Sequence, residues 1–204
     1  MRALGLVVAG AVGALLLTAC GEAQPGVAAS IEGDTITVDQ VHEQTDEFFE
    51  AYPNFEGQVD PALVNSIQIE NFLRARIVDL TAADLGIEPT KADLDEFVEQ
   101  FGGIEQVTQQ TSNGGVPPDP ELVQAEIRSA WLQFAIGREL AEDPSDDEQV
   151  SIASREATDA KAAEVQVTVN PRFGTWDGSR VTPGNASLSV TNAPTEGQII
   201  PPPG

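Results

Sequence analysis

Three groups of side chains in this 204-residue sequence have the chemistry of reactive or ligand-binding residues. The first is the only cysteine, Cys20, and the second is the only histidine, His42. The third is an acidic cluster made of Asp143, Asp146, Asp147 and Glu148. A thiol can form a covalent bond, an imidazole can move a proton or bind a metal, and clustered carboxylates can bind Ca²⁺.

Cys20 follows a segment with the order of an export signal. Arg2 supplies a positive charge, residues 4–17 form an apolar run interrupted only by glycine, and Thr18 and Ala19 are the small residues that a signal peptidase requires. The run is shorter than the roughly 20 apolar residues of a spanning helix. Leu17-Thr18-Ala19-Cys20 therefore predicts a lipobox, with residues 1–19 as the signal peptide. An uncleaved anchor or an ordinary secretory signal is the alternative.

A lipobox gives Cys20 a structural task. The thiol becomes a thioether to diacylglycerol, and the new amino group is usually acylated by a fatty acid such as palmitate. Several acyl chains hold a protein on a bilayer far more firmly than one chain does. We therefore expect a protein anchored by lipid to the extracytoplasmic face of the cell membrane. No cysteine is left for a disulfide.

The other two groups do not favour an enzyme. Glu43, Asp46 and Glu47 beside His42 give no metal-binding or nucleophile-activating spacing, so a solvated helical histidine is the preferred interpretation. The acidic cluster lacks the glycine and the alternating ligands of a calcium loop, which favours a helix N-terminus over a Ca²⁺ site. No nucleophile elbow, phosphate loop or paired zinc histidines occur. We predict no catalytic residue, no metal and no cofactor.

The charge balance excludes one class of partner. The chain has 33 acidic and 10 basic residues and a net charge of -23. Nucleic acids are bound by clustered lysine and arginine, which this sequence lacks. The 41% hydrophobic content and the length allow one globular domain.

The elements that must position any site begin after a short polar tether, residues 20–26. Two strands, Ala28 to Ile31 and Thr35 to Val38, flank a glycine-containing turn and predict a hairpin. Thr37 and Gln40 then form the pattern of a capping box, which begins a helix that ends near Tyr52.

Further local signals divide the middle of the chain into helices. Asp60-Pro61 and Asp119-Pro120 each combine an N-cap with a first-turn proline. Gly86-Ile87 predicts a Schellman stop, and Thr90 caps the next helix. A short helix follows through Ile104 and Val107, and residues 111–120 are expected to form a loop. Ser145 with Glu148 predicts a last helix from Asp146 to about Ala163, which is poor in large apolar residues.

Val165 to Val169 alternates strictly and is the strongest strand pattern in the chain. Its only ordered candidate partner is the N-terminal hairpin. The predicted fold is therefore mainly α with a small antiparallel β element, over residues 27–176. Residues 177–204, with Ala186 to Val190 as a weak strand, are predicted to be a low-complexity tail.

The order of these elements resembles the N-terminal domain of SurA-like periplasmic chaperones, which PrsA-type lipoprotein foldases share. The similar segments are residues 27–41 (VAASIEGDTITVDQV), 83–94 (ADLGIEPTKADL) and 167–176 (VTVNPRFGTW). Full foldases of this family also carry a parvulin isomerase domain with paired histidines, for which this chain has neither room nor a second histidine.

The resemblance implies a membrane-tethered holdase that binds unfolded or exported polypeptides and has no isomerase activity. An accessory lipoprotein that binds one folded envelope partner is the alternative, and the sequence leaves the oligomeric state open. A peptide groove would need exposed aromatic side chains, and filling of a helical core is the competing interpretation. The candidate groove residues are Phe48, Phe49, Tyr52, Phe55, Trp131 and Phe134.

Overall fold

The computed structural model describes residues 25–113 and 119–183. The predicted signal peptide, Cys20 and the predicted strand from Ala186 to Val190 lie outside these residues. Within them the helices are α1 (Val38–Ala51), α2 (Pro61–Asp84), α3 (Lys91–Gln100), α4 (Ile104–Asn113), α5 (Pro120–Leu140) and α6 (Asp147–Glu164). The strands are β1 (Val27–Ile31), β2 (Asp34–Thr37), β3 (Val167–Val169), β4 (Thr175–Trp176) and β5 (Val181–Thr182). The predicted class, mainly helical with a small antiparallel sheet, is confirmed.

The first and last predicted strands meet in one sheet. β1 pairs antiparallel with β2 through a two-residue turn, Glu32 and Gly33, whose φ values are 48° and 94°. Two positive φ angles match the twist of a two-residue hairpin, and glycine adopts them at low cost. β1 also pairs antiparallel with β3, with Ala29 opposite Val169. The predicted closure of the hairpin on the C-terminal strand is confirmed.

Most helix ends lie where the local signals predict them. The Thr37 hydroxyl accepts the Gln40 N–H at 3.2 Å while the Gln40 side chain accepts the Thr37 N–H at 2.9 Å, which completes the capping box. Asp60 caps α2 and Asp119 caps α5, each before a proline. At the end of α2, Gly86 has φ 69°, and the Ile87 N–H donates to the Ala82 carbonyl at 2.9 Å as a Schellman motif requires.

Two helix boundaries differ from the prediction, and the strand predicted from Val165 begins at Val167 because Val165 is the C-cap of α6. α4 continues to Asn113, through the start of the predicted loop. The Thr108 and Thr111 hydroxyls donate to carbonyls one turn earlier, at 2.8 and 3.0 Å, which lets these residues remain helical. Ser145 is not the cap of α6, because its hydroxyl donates to Asp143 at 2.6 Å. Asp146 takes the capping position and accepts the backbone N–H groups of the first turn.

The core lies on both sides of α2. On one side, apolar residues of β1, β2, α1 and α2 form a cluster that includes the fully buried Ile31, Val41, Ile69 and Leu73. On the other side, Val78 and Ala82 of α2 pack against Leu132 and Ile136 of α5. The central helix therefore fixes the sheet and the α5–α6 pair relative to each other.

α6 packs more closely than its composition indicates. A Cβ placed on Gly137 of α5 would lie 2.2 Å from the Val150 carbonyl oxygen of α6. The backbones of α5 and α6 are therefore nearly in contact at this point, which only a glycine allows. The sequence of α6 is poor in large apolar residues, but the helix packs closely on α5 because the two backbones approach each other at Gly137. Val150 and Ser154 are its buried residues.

The segment after β3 closes the domain. The Asn170 N–H donates to the Ala28 carbonyl at 2.8 Å, and its side-chain amide donates to the Val27 carbonyl at 3.2 Å. Phe173 is buried, and its carbonyl accepts the buried Ser66 hydroxyl of α2 at 2.9 Å. The exposed Arg172 lies over the Phe173 ring, 5.0 Å from its centroid. The Asn-Pro-Arg-Phe run thus ties β3 to β1 and to α2.

The predicted tail begins too early. β4 and β5 form a hairpin across the predicted boundary at Trp176, and Val181 is buried in the core with Phe173. The Asp177 carboxylate accepts the N–H groups of Ser179 and Arg180 at 2.9 and 2.8 Å, which shapes the turn. These hydrogen bonds hold the pKa of Asp177 below its usual value. The folded domain therefore includes residues 177–182.

Candidate functional site

The structure divides the six predicted aromatic residues between two places. Phe48, Phe49, Tyr52 and Phe55 form one cluster at the end of α1, with the Phe48 and Phe55 rings stacked at 6.1 Å. The Tyr52 hydroxyl donates to the Ser112 carbonyl at the end of α4. Phe55 is the most open of the four, with 45% of its surface exposed, and the other three are half-buried.

Trp131 and Phe134 lie elsewhere on α5. Trp131 is half-buried against the α2–α5 core cluster, whereas Phe134 is 38% exposed. Phe134 contacts Phe97 of α3 at 6.4 Å, and the Arg138 guanidinium lies 5.6 Å from its ring centroid. Among the described residues, no ring contact joins the two groups, and the clefts beside Trp131 and Phe134 are lined by none of the four residues of the α1 cluster. The two groups therefore do not face each other across one groove.

The histidine and the acidic cluster lie where the sequence suggests. His42 is exposed on α1 and approaches the Phe173 ring edge-on at 6.1 Å. Asp143 and Asp146 accept hydrogen bonds from Ser145 and Gln149, and these bonds lower the pKa of both carboxyl groups. In the described part of the chain, no group of three or more potential ligand side chains is arranged to hold a metal ion.

A large concave surface lies among α2, α5 and α6. A cleft of about 920 Å³ is enclosed by α2, α5, α6 and the β4–β5 hairpin, with Phe101 at the end of α3 as a further wall. Of the predicted aromatic residues, Phe134 lines this cleft. Clefts of a few hundred to about a thousand cubic ångströms are typical of binding sites for small or extended ligands.

The cleft combines an apolar floor with polar walls that carry neutral and charged side chains, the charged ones being Arg74, Glu126, Asp147, Arg155, Asp159 and Arg180. Ile77, Val78 and Val150 form the floor and are 4 to 5% exposed. Side chains that can both donate and accept hydrogen bonds line the walls, namely Asn71, Ser129, Gln133, Ser151, Ser154 and Thr158. Such side chains can bond to the backbone of an extended chain, while the floor and the aromatic walls contact its apolar side chains.

The hairpin wall of the cleft is fixed to α2 by two side chains. The Glu70 carboxylate accepts the Val181 N–H at 3.1 Å and pairs with Arg74 at 2.8 Å. Arg74 in turn donates to the Ser179 carbonyl at 2.9 Å. These bonds place Trp176 and Arg180 at the cleft. The sequence analysis missed both residues, although the Asp177-Gly178 dipeptide between two strand-forming pairs is a hairpin signal that could have found them.

Glu126 is the titratable group of the cleft whose pKa is raised. Glu126 is exposed as a residue, but its carboxyl group is partly removed from water. This desolvation disfavours the charged form and raises the pKa of Glu126. At neutral pH the charged form of Glu126 therefore lowers the stability of the folded state.

A smaller cleft of about 480 Å³ adjoins the first at Phe134, which lines both. α3 and α5 enclose it, and Phe97 and Trp131 are its other aromatic residues. Asp93, Glu96 and Glu139 outnumber Arg138, so this second cleft has an excess of acidic side chains. Phe134 therefore lines two clefts, of which the second has the excess of acidic side chains.

Comparisons of the chain with protein-family models, with curated proteins and with solved structures find no match. Within residues 25–113 and 119–183, no helix has both the length and the apolar character needed to cross a bilayer.

Proposed function

We propose that this protein is a lipid-anchored, extracytoplasmic holdase that binds unfolded or exported polypeptides in the large cleft and has no isomerase activity. The observation that carries the proposal is the composition of that cleft: an apolar floor, aromatic walls and many side chains that form hydrogen bonds, with acidic and basic groups in equal number. This combination suits many extended sequences, because backbone groups and apolar side chains occur in every client.

The order of the elements gives further support. A β-hairpin, a series of helices and a closing antiparallel strand follow each other as in the SurA-like domain that the sequence resembles. We propose the same domain identity for residues 27–182, and we propose attachment to the membrane through Cys20. A lipid anchor would keep the cleft near the membrane from which exported chains emerge.

Suppression of aggregation tests the proposal. The protein as the cell produces it, reconstituted in lipid nanodiscs, should slow light scattering by several unrelated proteins diluted from urea, without nucleotide. Ser151→Trp should weaken the effect, because Ser151 is an exposed residue of α6 that lines the cleft and a large side chain there obstructs part of it. Ala160→Trp is the matched control, since Ala160 is exposed on the same helix but does not line the cleft.

The outcomes separate the alternatives. Failure to slow the aggregation of any client would refute the holdase proposal. Crosslinking in cells that returns one folded protein, instead of a range of clients, would favour the accessory lipoprotein. If Phe55→Ser weakens the activity and Ser151→Trp does not, the clients bind at the α1 aromatic cluster. A proline-peptide isomerisation assay should give only the background rate.

A further inference from the structure

Most of the basic side chains in the described part of this acidic protein contact a carboxylate or an aromatic ring. Residues 25–113 and 119–183 contain nine lysine and arginine residues. Five of them form ion pairs with carboxylates, and Arg138 and Arg172 lie over aromatic rings. The other two, Arg155 and Arg180, form no ion pair within 4 Å and no ring contact among the described residues. Both line the large cleft.

These two arginines come from different elements. Arg155 lies on α6 and Arg180 lies in the β4–β5 hairpin, which Glu70 and Arg74 hold against α2. The cleft also carries the acidic residues Glu126, Asp147 and Asp159, but none of them forms an ion pair with either arginine within 4 Å. Asp177 accepts the backbone N–H of Arg180 at 2.8 Å and acts on its guanidinium group only through the field of its charge. The fold therefore brings two uncommitted guanidinium groups to one cleft in a protein of net charge -23.

We propose that the cleft prefers extended polypeptide segments in which an acidic residue stands close to a large apolar residue. The carboxylate binds Arg155 and Arg180, and the apolar side chain contacts Trp176 and the floor of the cleft. Guanidinium groups bind carboxylates through paired, charge-assisted hydrogen bonds, and this geometry suits a client side chain or a chain end. The proposal rests on the proposed function, because it names the class of client.

The charges outside the large cleft determine where an acidic residue of a bound chain can lie. The second cleft beyond Phe134 carries three carboxylates, Asp93, Glu96 and Glu139, against one guanidinium group, that of Arg138, and this excess of negative charge disfavours an acidic side chain. The net negative charge of the whole protein does the same over longer distances. An acidic residue of a client therefore binds in the large cleft beside α6 and is disfavoured in the second cleft beside α3.

Three labelled peptides test this preference. Each has eight residues with a central Leu-Phe pair, and the residue after this pair is Glu, Gln or Lys. In fluorescence anisotropy with the nanodisc-bound protein, we expect the Glu peptide to bind about tenfold more tightly than the Gln peptide at low ionic strength, and the Lys peptide to bind most weakly. Sodium chloride at about 0.5 M should remove most of this difference, because screening weakens exposed charge pairs.

Two double variants identify the arginines. In the combined variant Arg155→Gln and Arg180→Gln, the Glu and Gln peptides should bind equally. The combination Lys91→Gln and Arg172→Gln removes the same charge outside the cleft and should keep the preference. All four positions are exposed, so both variants should keep the wild-type circular dichroism spectrum.

Equal binding of the three peptides to the wild-type protein would overturn the proposal, as would a preference that survives in the Arg155 and Arg180 variant. If the peptides bind equally and Ser151→Trp weakens that binding, only the preference for acidic clients fails. If no peptide binds and no client is protected from aggregation, the proposed function fails with it.

Discussion

Gly137 is the position at which one added methyl group should damage the α5–α6 contact most. In Gly137→Ala, the new Cβ would lie 2.2 Å from the Val150 carbonyl oxygen and 2.8 Å from its Cγ1 atom. The first of these partners belongs to the backbone, so no side-chain rotation can relieve the contact. Ordinary contact distances require α5 and α6 to separate by roughly 1 Å.

The size of the effect follows from two opposing terms. A gap of this size forfeits a quarter to a half of the dispersion energy of each atom pair along the interface, and overpacking of a well-filled core costs about 3 kcal/mol at the upper end of its usual range. Alanine is better than glycine in a helix interior by about 1 kcal/mol. We therefore expect Gly137→Ala to lower the free energy of unfolding by about 2 kcal/mol.

Urea unfolding measures this difference through the fluorescence of Trp131 and Trp176, with circular dichroism as a second probe. The double variant Gly137→Ala, Val150→Ala should stay destabilised, because it removes the Cγ1 contact and leaves the carbonyl contact. Because α5 and α6 form two walls of the large cleft, Gly137→Ala should also weaken client binding. An alanine variant as stable as the wild type, or more stable, would refute the reasoning, since helix propensity alone predicts that result.

Two further predictions concern a carboxyl group and the anchor. The pKa of Glu126 is raised in the folded state, so its contribution favours folding below its unfolded pKa of about 4.3 and is lost as the pH rises through the higher folded pKa. Glu126→Gln should therefore raise Tm at pH 7 and leave it nearly unchanged at about pH 3.5, whereas an equal shift at both pH values in calorimetry would contradict desolvation as the cause. Mass spectrometry of the protein from membranes should show Cys20 as the first residue with a diacylglycerol thioether, and Cys20→Ala should carry no lipid. Recovery of an unmodified Cys20 would contradict the lipobox.

The sequence predicts helix ends well because capping is a local interaction. Thr37 reaches Gln40 three residues later, and Asp60 and Asp119 each reach the first turn of the helix that they begin. Gly86 ends α2 through bonds between residues five apart or fewer. In each case the partners are close in the chain, so the pattern contains the whole interaction. The pairing of β1 with β3 also follows, since few strands compete.

Local patterns fail where two candidates compete. Ser145 and Asp146 are both good N-caps, and the preference for Asp146 arises because Asp143 already accepts the Ser145 hydroxyl. The helical state of Thr111 likewise depends on a hydroxyl bond that the sequence permits but does not require. Such positions are decided by which of several possible hydrogen bonds forms.

The candidate site also combines features that the sequence predicts with features that only the tertiary structure reveals. The aromatic residues Phe48, Tyr52 and Phe55 lie close together in sequence and in space, so their cluster was foreseeable. The large cleft was not, because its walls come from α2, α5, α6 and the β4–β5 hairpin. No sequence pattern distinguishes Arg155 or Arg180. Their placement in one cleft depends on how the β4–β5 hairpin docks on Glu70 and Arg74.

The sequence by itself determined the predicted export signal and lipid site, the acidic charge, the helical class and most of the element boundaries, because these depend on composition and on contacts within a few residues. Only the tertiary structure decided that α5 and α6 approach at Gly137, that residues 177–182 belong to the domain, and that the cleft lies beside Trp176 instead of beside α1. The physical reason is that close packing and the docking of distant segments depend on the shapes of surfaces that form only when the chain has folded.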